Sequence, residues 1–331
     1  MSTYSKESEI VGTDHDAWIQ WIVSESCPMG CEYCSSKFPH RESLPAPTID
    51  IQRALRTLER TGRRFKLQLT GGGEPFLCPT LIDLIEELTQ THQVEVNTNF
   101  VNMKMTKLIP RCKKENLSFI ASCHIKVMEK KGLLDRYMIN YHACRDAGIS
   151  VCCRAVAFPG LIPELPFWKS YFERRGIPLE FNPYVGEYEG KRYPDSYEAT
   201  ELTLFGLPPR RSFEPLEHHE SRRLCNAGFN TARISLNGDV YPCAYMNEEG
   251  DHLGNIYERI EFNPHIMDCS VKDCACPYYL FTPDLWNRAQ FLDREHIAEL
   301  KRTHSDLRSR SGRTLAGIRL LASVLRRERS G

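Results

Sequence analysis

The chain has 331 residues, of which 41% are hydrophobic, and 43 basic residues balance 43 acidic ones. This balance does not point to a polyanionic partner or a membrane surface. No apolar run reaches the roughly 18–20 residues that a membrane span requires, and the polar N-terminus lacks the apolar core of a signal peptide. We therefore expect a cytoplasmic protein. In that reducing compartment, 14 cysteines indicate metal ligands or catalytic thiols rather than disulfides.

Short β-prone runs alternate with helical segments over the first 184 residues. Strands that alternate with helices predict a parallel sheet with right-handed crossovers. The active site of such a sheet lies in the loops at the carboxyl ends of its strands. The predicted strands are Trp18–Ser24, Phe65–Thr70, Gln93–Asn97, Leu117–Ser122, Ile149–Phe158 and Pro178–Tyr184.

Helical spacing of apolar residues predicts helices between these strands. One covers Ile51 to Leu58 and ends before Gly62, and another covers Leu81 to Leu88. Thr80 and Asp83 are placed as a capping pair for the second of them. Two further helices are predicted at residues 134–147 and 163–175.

The amino-acid composition changes after residue 184. A stretch rich in Pro, Gly and charged residues predicts a linker with one short helix. Its His-His-Glu run could bind a metal, but we expect these side chains to be exposed to solvent as part of the linker. Asn237-Gly238 lies between β-prone runs and predicts a two-residue hairpin. The last forty residues predict a basic amphipathic helix, which we expect to pack on the rest of the protein rather than to bind RNA.

Three cysteines form the most informative motif. Cys27, Cys31 and Cys34 have the spacing CxxxCxxC in the loop directly after the first predicted strand. The run "TGGGEP" follows the second strand, so both motifs fall where the loops of the sheet gather. A zinc site with His40 as fourth ligand, or a redox pair, is the alternative.

This layout resembles the radical S-adenosylmethionine (SAM) superfamily, over roughly residues 17–280. The resemblance implies that the three cysteines hold a [4Fe–4S] cluster and leave one iron open to the amino and carboxylate groups of SAM. It further implies reductive cleavage of SAM to a 5′-deoxyadenosyl radical, which abstracts hydrogen from a substrate carbon. An electron donor such as flavodoxin or ferredoxin is implied as a partner.

The resemblance assigns several residues to SAM binding. Tyr33, the aromatic residue before the last cysteine, matches the position near the adenine. Gly72, Gly73 and Glu74 match the family's GGE motif, in which glycines let the backbone approach the ligand and a carboxylate suits an ammonium group. No clear GxIxGxxE motif is present, so no adenine contact beyond Tyr33 is assigned.

Residues on the later strands complete this set. Asn97, Thr98 and Asn99 follow the third strand, where the family often shows a TN pair near the cofactor. A turn-forming role is the alternative for both asparagines. Arg154 on the fifth strand is a candidate partner of the SAM carboxylate, and an ordinary salt bridge is its alternative.

A second group of cysteines resembles the SPASM/twitch extensions of these enzymes, together with the runs "GDVYPC" and "LGNI". Five cysteines suit one auxiliary [4Fe–4S] cluster better than the two of a full SPASM domain, and a structural zinc ribbon is the alternative. The favoured ligands are Cys225, Cys243, Cys274 and Cys276, with Cys269 as a replacement for either of the last two.

The implied chemistry leaves two outcomes open. An auxiliary cluster that accepts an electron from the substrate radical gives an oxidation, whereas a thiol that returns a hydrogen atom gives an epimerisation. Cys152 and Cys153 are adjacent on a strand, so one of them faces inward. Cys123 and Cys269 are further candidate thiols. His124 at a strand end is a candidate proton acceptor.

We thus expect an α/β protein with a partial (β/α)6 barrel, a small iron–sulfur domain and a helical tail. The predicted function is a radical SAM oxidoreductase or epimerase that acts on a small hydroxylated metabolite of sugar or aminocyclitol type, as in natural product biosynthesis. We favour a metabolite because the chain begins almost directly with the first strand, without a recognition domain. The alternatives are a ribosomal-peptide maturase, an RNA-modifying enzyme and a non-enzymatic iron–sulfur protein. The predicted boundaries are 1–16 for an N-terminal extension, 17–215 for the barrel, 216–285 for the auxiliary domain and 286–331 for the tail.

Overall fold

The computed structural model describes residues 15–34, 48–103, 105–208, 224–246, 251–268, 285, 288–289, 292–299 and 302. The predictions for His40, for the His-His-Glu run, for Cys269, Cys274 and Cys276, and for the basic tail beyond residue 302 lie outside these residues. Among the described helices, none is long and apolar enough to cross a membrane.

A mixed sheet of ten strands organises the molecule. The first six strands are parallel, and β10 pairs in parallel with the edge of β1 that faces away from β2. The antiparallel strands β11, β12 and β13 then extend the sheet beyond β10. The described strands do not close into a barrel, since β13 and β6 are the two edges. The strands of this sheet are β1 (Ala17–Ser24), β2 (Phe65–Gly71), β3 (Gln93–Thr98), β4 (Leu117–Ser122), β5 (Ser150–Ala157), β6 (Leu179–Pro183), β10 (Thr231–Ile234), β11 (Asp239–Tyr241), β12 (Gly254–Asn255) and β13 (Arg259–Ile260).

Two small pairs of strands lie outside the main sheet. The β7–β8 hairpin follows β6, and β9 pairs with β14. Helices connect the parallel strands of the main sheet, as the alternating pattern predicts. The small strands are β7 (Gly186–Tyr188), β8 (Lys191–Tyr193), β9 (Leu224–Cys225) and β14 (Met267–Asp268), and the helices are α1 (Ile51–Arg60), α2 (Leu81–Leu88), α3 (Met105–Leu108), α4 (Ile125–Lys130), α5 (Leu134–Asp146), α6 (Leu165–Glu173) and α7 (Ala199–Phe205).

The structure confirms the six predicted strands to within one residue at each end. Three local predictions are wrong. Thr80 precedes α2 without capping it, and its hydroxyl instead accepts a hydrogen bond from Ile49 N. Helix α6 begins only at Leu165, after a 3-10 turn over Pro159–Glu164. The loop between β10 and β11 has four residues rather than two, with Gly238 at φ +93°.

The parallel strands have two unlike faces. Their outer face packs apolar side chains such as Leu67, Val96 and Phe119 into one large core with the helices. We call the opposite face, which is turned away from the helices, the inner face. Its half-buried or exposed side chains are largely polar, and residues paired in register share it: Gln20, Lys66, Gln68, Glu95, Asn97, Ser122, Cys152, Arg154, Glu180 and Arg233.

Buried His92 makes the stability of the fold depend on pH. Burial lowers the pKa of His92 to about 4, so the folded state keeps a neutral ring where the unfolded chain takes up a proton. Stability is therefore complete above the unfolded pKa of about 6.5 and is lost as the pH falls toward 4. Relative to His92→Gln, we expect the wild-type free energy of unfolding to fall by about 2 kcal/mol between pH 7 and pH 5. Urea unfolding at both pH values measures this difference, and parallel pH profiles for the two proteins would contradict it.

Candidate active site

The cysteine loop leaves the sheet at the carboxyl end of β1. Residues 31–34 form a tight turn, in which Cys34 N donates a hydrogen bond to Cys31 O at 3.2 Å. Burial raises the pKa of the Cys31 thiol to about 12, with the neighbouring Cys27 and Cys34 thiols adding to the effect. Lys131 also braces the loop, since its ammonium donates to Pro28 O at 2.6 Å.

The thiols do not converge on a single point. Among the described residues, no group of three or more His, Cys, Asp or Glu side chains is placed to hold one metal ion. A cubane cluster makes a different demand, because each thiolate binds a separate iron. The zinc alternative for the triplet, whose fourth ligand His40 lies outside the described residues, stays untested.

The glycine-rich loop after β2 packs directly against the cysteine loop. Gly73 N donates to Ser24 O at 3.3 Å, and Glu74 N donates to Ser26 O at 2.7 Å. A Cβ atom at Gly73 would lie 2.1 Å from Ser26 O, so only glycine allows this approach. The glycine run therefore positions the backbone immediately before Cys27.

Glu74 joins the second loop to the end of β3. Its side chain is fully buried and accepts three hydrogen bonds, from Thr98 Oγ1 at 2.6 Å, from Asn99 N at 2.7 Å and from Phe76 N at 3.0 Å. Burial raises the pKa of Glu74 to about 6, although the three hydrogen bonds act in the opposite direction. Because these donors engage both carboxylate oxygens, the carboxylate is placed as a brace between loops rather than as an open ligand for an ammonium group.

The end of β3 carries an unsatisfied donor. Asn99 is buried, its Oδ1 accepts from Val101 N, and its Nδ2 has no hydrogen-bond partner among the described residues. The next residue, Phe100, has φ +66°, a left-handed conformation that is rare for a bulky side chain and often marks functional sites. Asn97 lies on the inner face, where its Oδ1 accepts from Ser122 Oγ at 2.8 Å.

An aromatic cleft lies beside the cysteine loop. The Tyr33 ring centroid is 5.2 Å from that of Phe158 and 6.0 Å from that of His124. Cys123, Val156 and Leu161 also line this cleft. His124 is partly buried and its Nδ1 lies 3.4 Å from Tyr33 Oη, and desolvation lowers its pKa to about 4. Phe158 is not among the site residues predicted from the sequence, although its place at the end of β5 is a signal that points to it.

Three comparisons bear on this arrangement. No protein-family profile matches the chain. Molybdenum cofactor biosynthesis protein 1 of Bos taurus is 29% identical over 286 residues, which cover 72% of this chain but only 43% of that relative. A structure of native anSMEcpe with bound AdoMet superimposes with a TM-score of 0.53 at 15% identity, over 73% of this chain and 78% of that one. Streptococcus suis SuiB bound to S-adenosylmethionine superimposes with a TM-score of 0.50 at 15% identity, over 75% and 62% of the two chains.

The chain has the radical SAM fold. This finding confirms the resemblance to the superfamily that the sequence predicted, and with it the mixed α/β architecture around a parallel sheet. Three thiols, a close glycine backbone and the buried Asn99 donor lie together at the carboxyl edge of this sheet. The SPASM/twitch assignment and the four domain boundaries stay predictions.

The radical SAM fold places the candidate thiols on opposite faces of the sheet. Cys152 lies on the inner face, where its Sγ is 3.1 Å from Glu180 Oε2. Cys153 is buried on the outer face, where Tyr137 Oη donates to its Sγ at 2.9 Å. Cys123 is also buried and hydrogen-bonds to Cys153. The structure therefore does not bring Cys153 to the inner face, and Cys152 is the thiol that lies there.

Arg154 lies on the inner face two residues after Cys152, nearer to the carboxyl end of β5. Its guanidinium donates to Glu180 Oε2 at 3.2 Å, in an ion pair where Glu180 is 58% exposed. Arg154 therefore forms the ordinary salt bridge that was the alternative to a contact with the SAM carboxylate.

Two distal cysteines come together at the other end of β1. Cys243 is buried in a small cluster with Trp18 and Leu285, and the partly buried Cys225 packs against it. Cys225 also lies opposite Met267 in the β9–β14 pair. Strand β14 ends at Asp268, so Cys269 follows directly in the sequence. The hairpin thus places Cys225 and Cys243 in one group of packed side chains, and their role as iron–sulfur ligands stays a prediction.

Proposed function

We propose that this chain is a radical SAM enzyme. The observation that carries the proposal is the cysteine triplet held against the glycine loop at the carboxyl edge of the sheet. When bound together, a [4Fe–4S] cluster and SAM supply a 5′-deoxyadenosyl radical that abstracts hydrogen from a substrate carbon. Cys27, Cys31 and Cys34 would hold the cluster. Cys225 and Cys243 would contribute to one auxiliary cluster whose other ligands lie outside the described residues.

The surrounding residues suit the parts of SAM. Tyr33 and Phe158, whose rings pack against each other, line a cleft that offers aromatic surface to an adenine ring. The unsatisfied Asn99 Nδ2 offers a hydrogen-bond donor to the amino-acid end of the cofactor. In our proposal Glu74 acts indirectly, because it holds Thr98 and the Asn99 backbone against the glycine loop.

For the substrate we propose a small hydroxylated metabolite of sugar type. The polar inner face supports this choice, since its amide, hydroxyl and charged side chains hydrogen-bond to one another across neighbouring strands and suit a ligand rich in hydroxyl groups. A peptide substrate is the alternative, which two similar structures favour: anSMEcpe with bound AdoMet and a Cp18Cys peptide, and SuiB bound to precursor peptide SuiA.

The outcome of the proposed reaction is an oxidation or an epimerisation. The inner-face position of Cys152 supports an epimerisation, in which a thiol returns a hydrogen atom to the substrate. Such a thiol must be protonated. Burial, with help from Glu180, raises the pKa of Cys152 to about 11 and keeps the proton on sulfur. We propose a flavodoxin or ferredoxin as the electron donor and a cytoplasmic location.

The test is anaerobic incubation of the reconstituted full chain with SAM and dithionite, followed by quantification of 5′-deoxyadenosine and methionine. We expect both products in equal amounts. No 5′-deoxyadenosine above that formed by protein without iron would contradict the proposed function and favour a non-enzymatic iron–sulfur protein. Once a substrate is found, deuterium uptake from heavy water into the product carbon would identify epimerisation, and the Cys152→Ala variant should abolish that uptake.

A further inference from the structure

The inner face carries three described cations in the seven parallel strands, and they differ in their partners. Lys66 Nζ lies 3.1 Å from Glu95 Oε2, and Arg154 is paired with Glu180. Arg233 has no carboxylate partner among the described residues, and its Nε is buried without any hydrogen-bond partner. Leaving a buried donor unsatisfied costs free energy, which calls for a physical explanation.

Arg233 lies at the centre of the extended sheet. Its strand β10 pairs in parallel with β1, with Arg233 opposite Gln20, and in antiparallel with β11, with Arg233 opposite Tyr241. The nearby acidic residue of β11, Asp239, is already engaged by Asn255 and His252. The guanidinium is therefore a cation on the inner face that the described protein does not neutralise.

Its position along β1 is informative. Trp18, two residues before Gln20, packs against the cluster of Cys225 and Cys243. Ser24, four residues after Gln20, adjoins the cysteine loop through its contacts with the glycine loop. Six residues of strand separate Trp18 from Ser24, which is roughly 20 Å. Arg233 thus lies level with a point between the two cysteine groups.

A chain of amides fixes what Gln20 presents beside Arg233. Glu95 only accepts, so Gln68 Nε2 donates to it at 2.8 Å, and Gln68 Oε1 then accepts from Gln20 Nε2 at 3.1 Å. Gln20 Oε1 is left as an acceptor. The neighbouring pair therefore combines a cation with an acceptor for a hydroxyl group.

We propose that Arg233 binds an anionic group of the substrate, a carboxylate or a phosphate, with Gln20 beside it. A planar guanidinium suits both anions because it donates two parallel hydrogen bonds. The inference rests on the proposed function and narrows its substrate to a hydroxylated metabolite that carries negative charge. It disfavours an aminocyclitol, whose ammonium groups the unpaired cation would repel.

Equilibrium dialysis of the anaerobically reconstituted full chain with labelled inorganic phosphate or labelled acetate tests this site. We expect one anion per chain, bound by wild type and at least about 10-fold more weakly by Arg233→Gln, since a charged hydrogen bond contributes about 1.5–3 kcal/mol. Arg56→Gln, on the exposed side of α1, is the matched control and should bind as wild type. Preference for phosphate or for acetate identifies the anion.

Arg233→Lys provides a second variant that keeps the charge but loses the planar fork, and we expect an affinity between those of wild type and Arg233→Gln. Wild-type affinity in both variants, or no anion binding by wild type, would overturn the inference. Formation of 5′-deoxyadenosine without substrate separates the two proposals. If it is absent while Arg233-dependent anion binding is present, the proposed function fails and the anion site stands.

Discussion

Replacement of Cys27, Cys31 and Cys34 together by alanine is expected to abolish formation of 5′-deoxyadenosine and to halve the iron content. A chain with two [4Fe–4S] clusters holds about eight irons, and loss of the triplet leaves about four in the distal group. The physical reason is that the three thiols of this loop lie apart from Cys225 and Cys243, at opposite ends of β1. Iron and sulfide analysis with Mössbauer spectra on anaerobically reconstituted protein measures the result.

Cys112→Ala is the control for this experiment, because Cys112 is largely buried in the core and outside both cysteine groups. It should keep the full iron content. A triple variant that retains all the iron would contradict the assignment of the triplet. A triple variant that holds one zinc and no iron would show that the distal group is structural, and the oxidation that depends on an auxiliary cluster would fail with it.

Glu74→Ala is expected to lower the free energy of unfolding by about 3–5 kcal/mol, the second large effect. The change removes a buried acceptor and leaves three donors, Thr98 Oγ1 and the amides of Asn99 and Phe76, without a partner. Glu74→Gln keeps the shape and two of the three acceptor contacts, so we expect a smaller loss of about 1–3 kcal/mol. Urea unfolding followed by circular dichroism measures both.

The matched control is Glu59→Ala on the exposed side of α1, which should change the unfolding free energy by less than about 0.5 kcal/mol. If Glu74→Ala proves as stable as wild type, the brace between the loops is not the role of this carboxylate. Loss of SAM cleavage without loss of stability would instead support the predicted contact between Glu74 and the SAM ammonium group.

Much of the fold could be predicted because its signals are local. The strands from β1 to β6 alternate with helices, and each is marked by a run of β-prone residues with turn residues at its ends. One of the errors came where a distant group competes with a local one. Thr80 does not cap α2 because its hydroxyl accepts from Ile49, and nothing near Thr80 in the sequence indicates that contact.

By itself, the sequence determined the cysteine triplet, its place after the first strand and the glycine loop after the second, because motif spacing and strand order are properties of the chain. Only the tertiary structure decided that Glu74 bonds to Thr98 and Asn99, that Cys152 rather than Cys153 lies on the inner face, and that β10 sets Arg233 beside Gln20. These contacts join residues from 24 to more than 200 positions apart, and their register depends on how strands distant in sequence pack together.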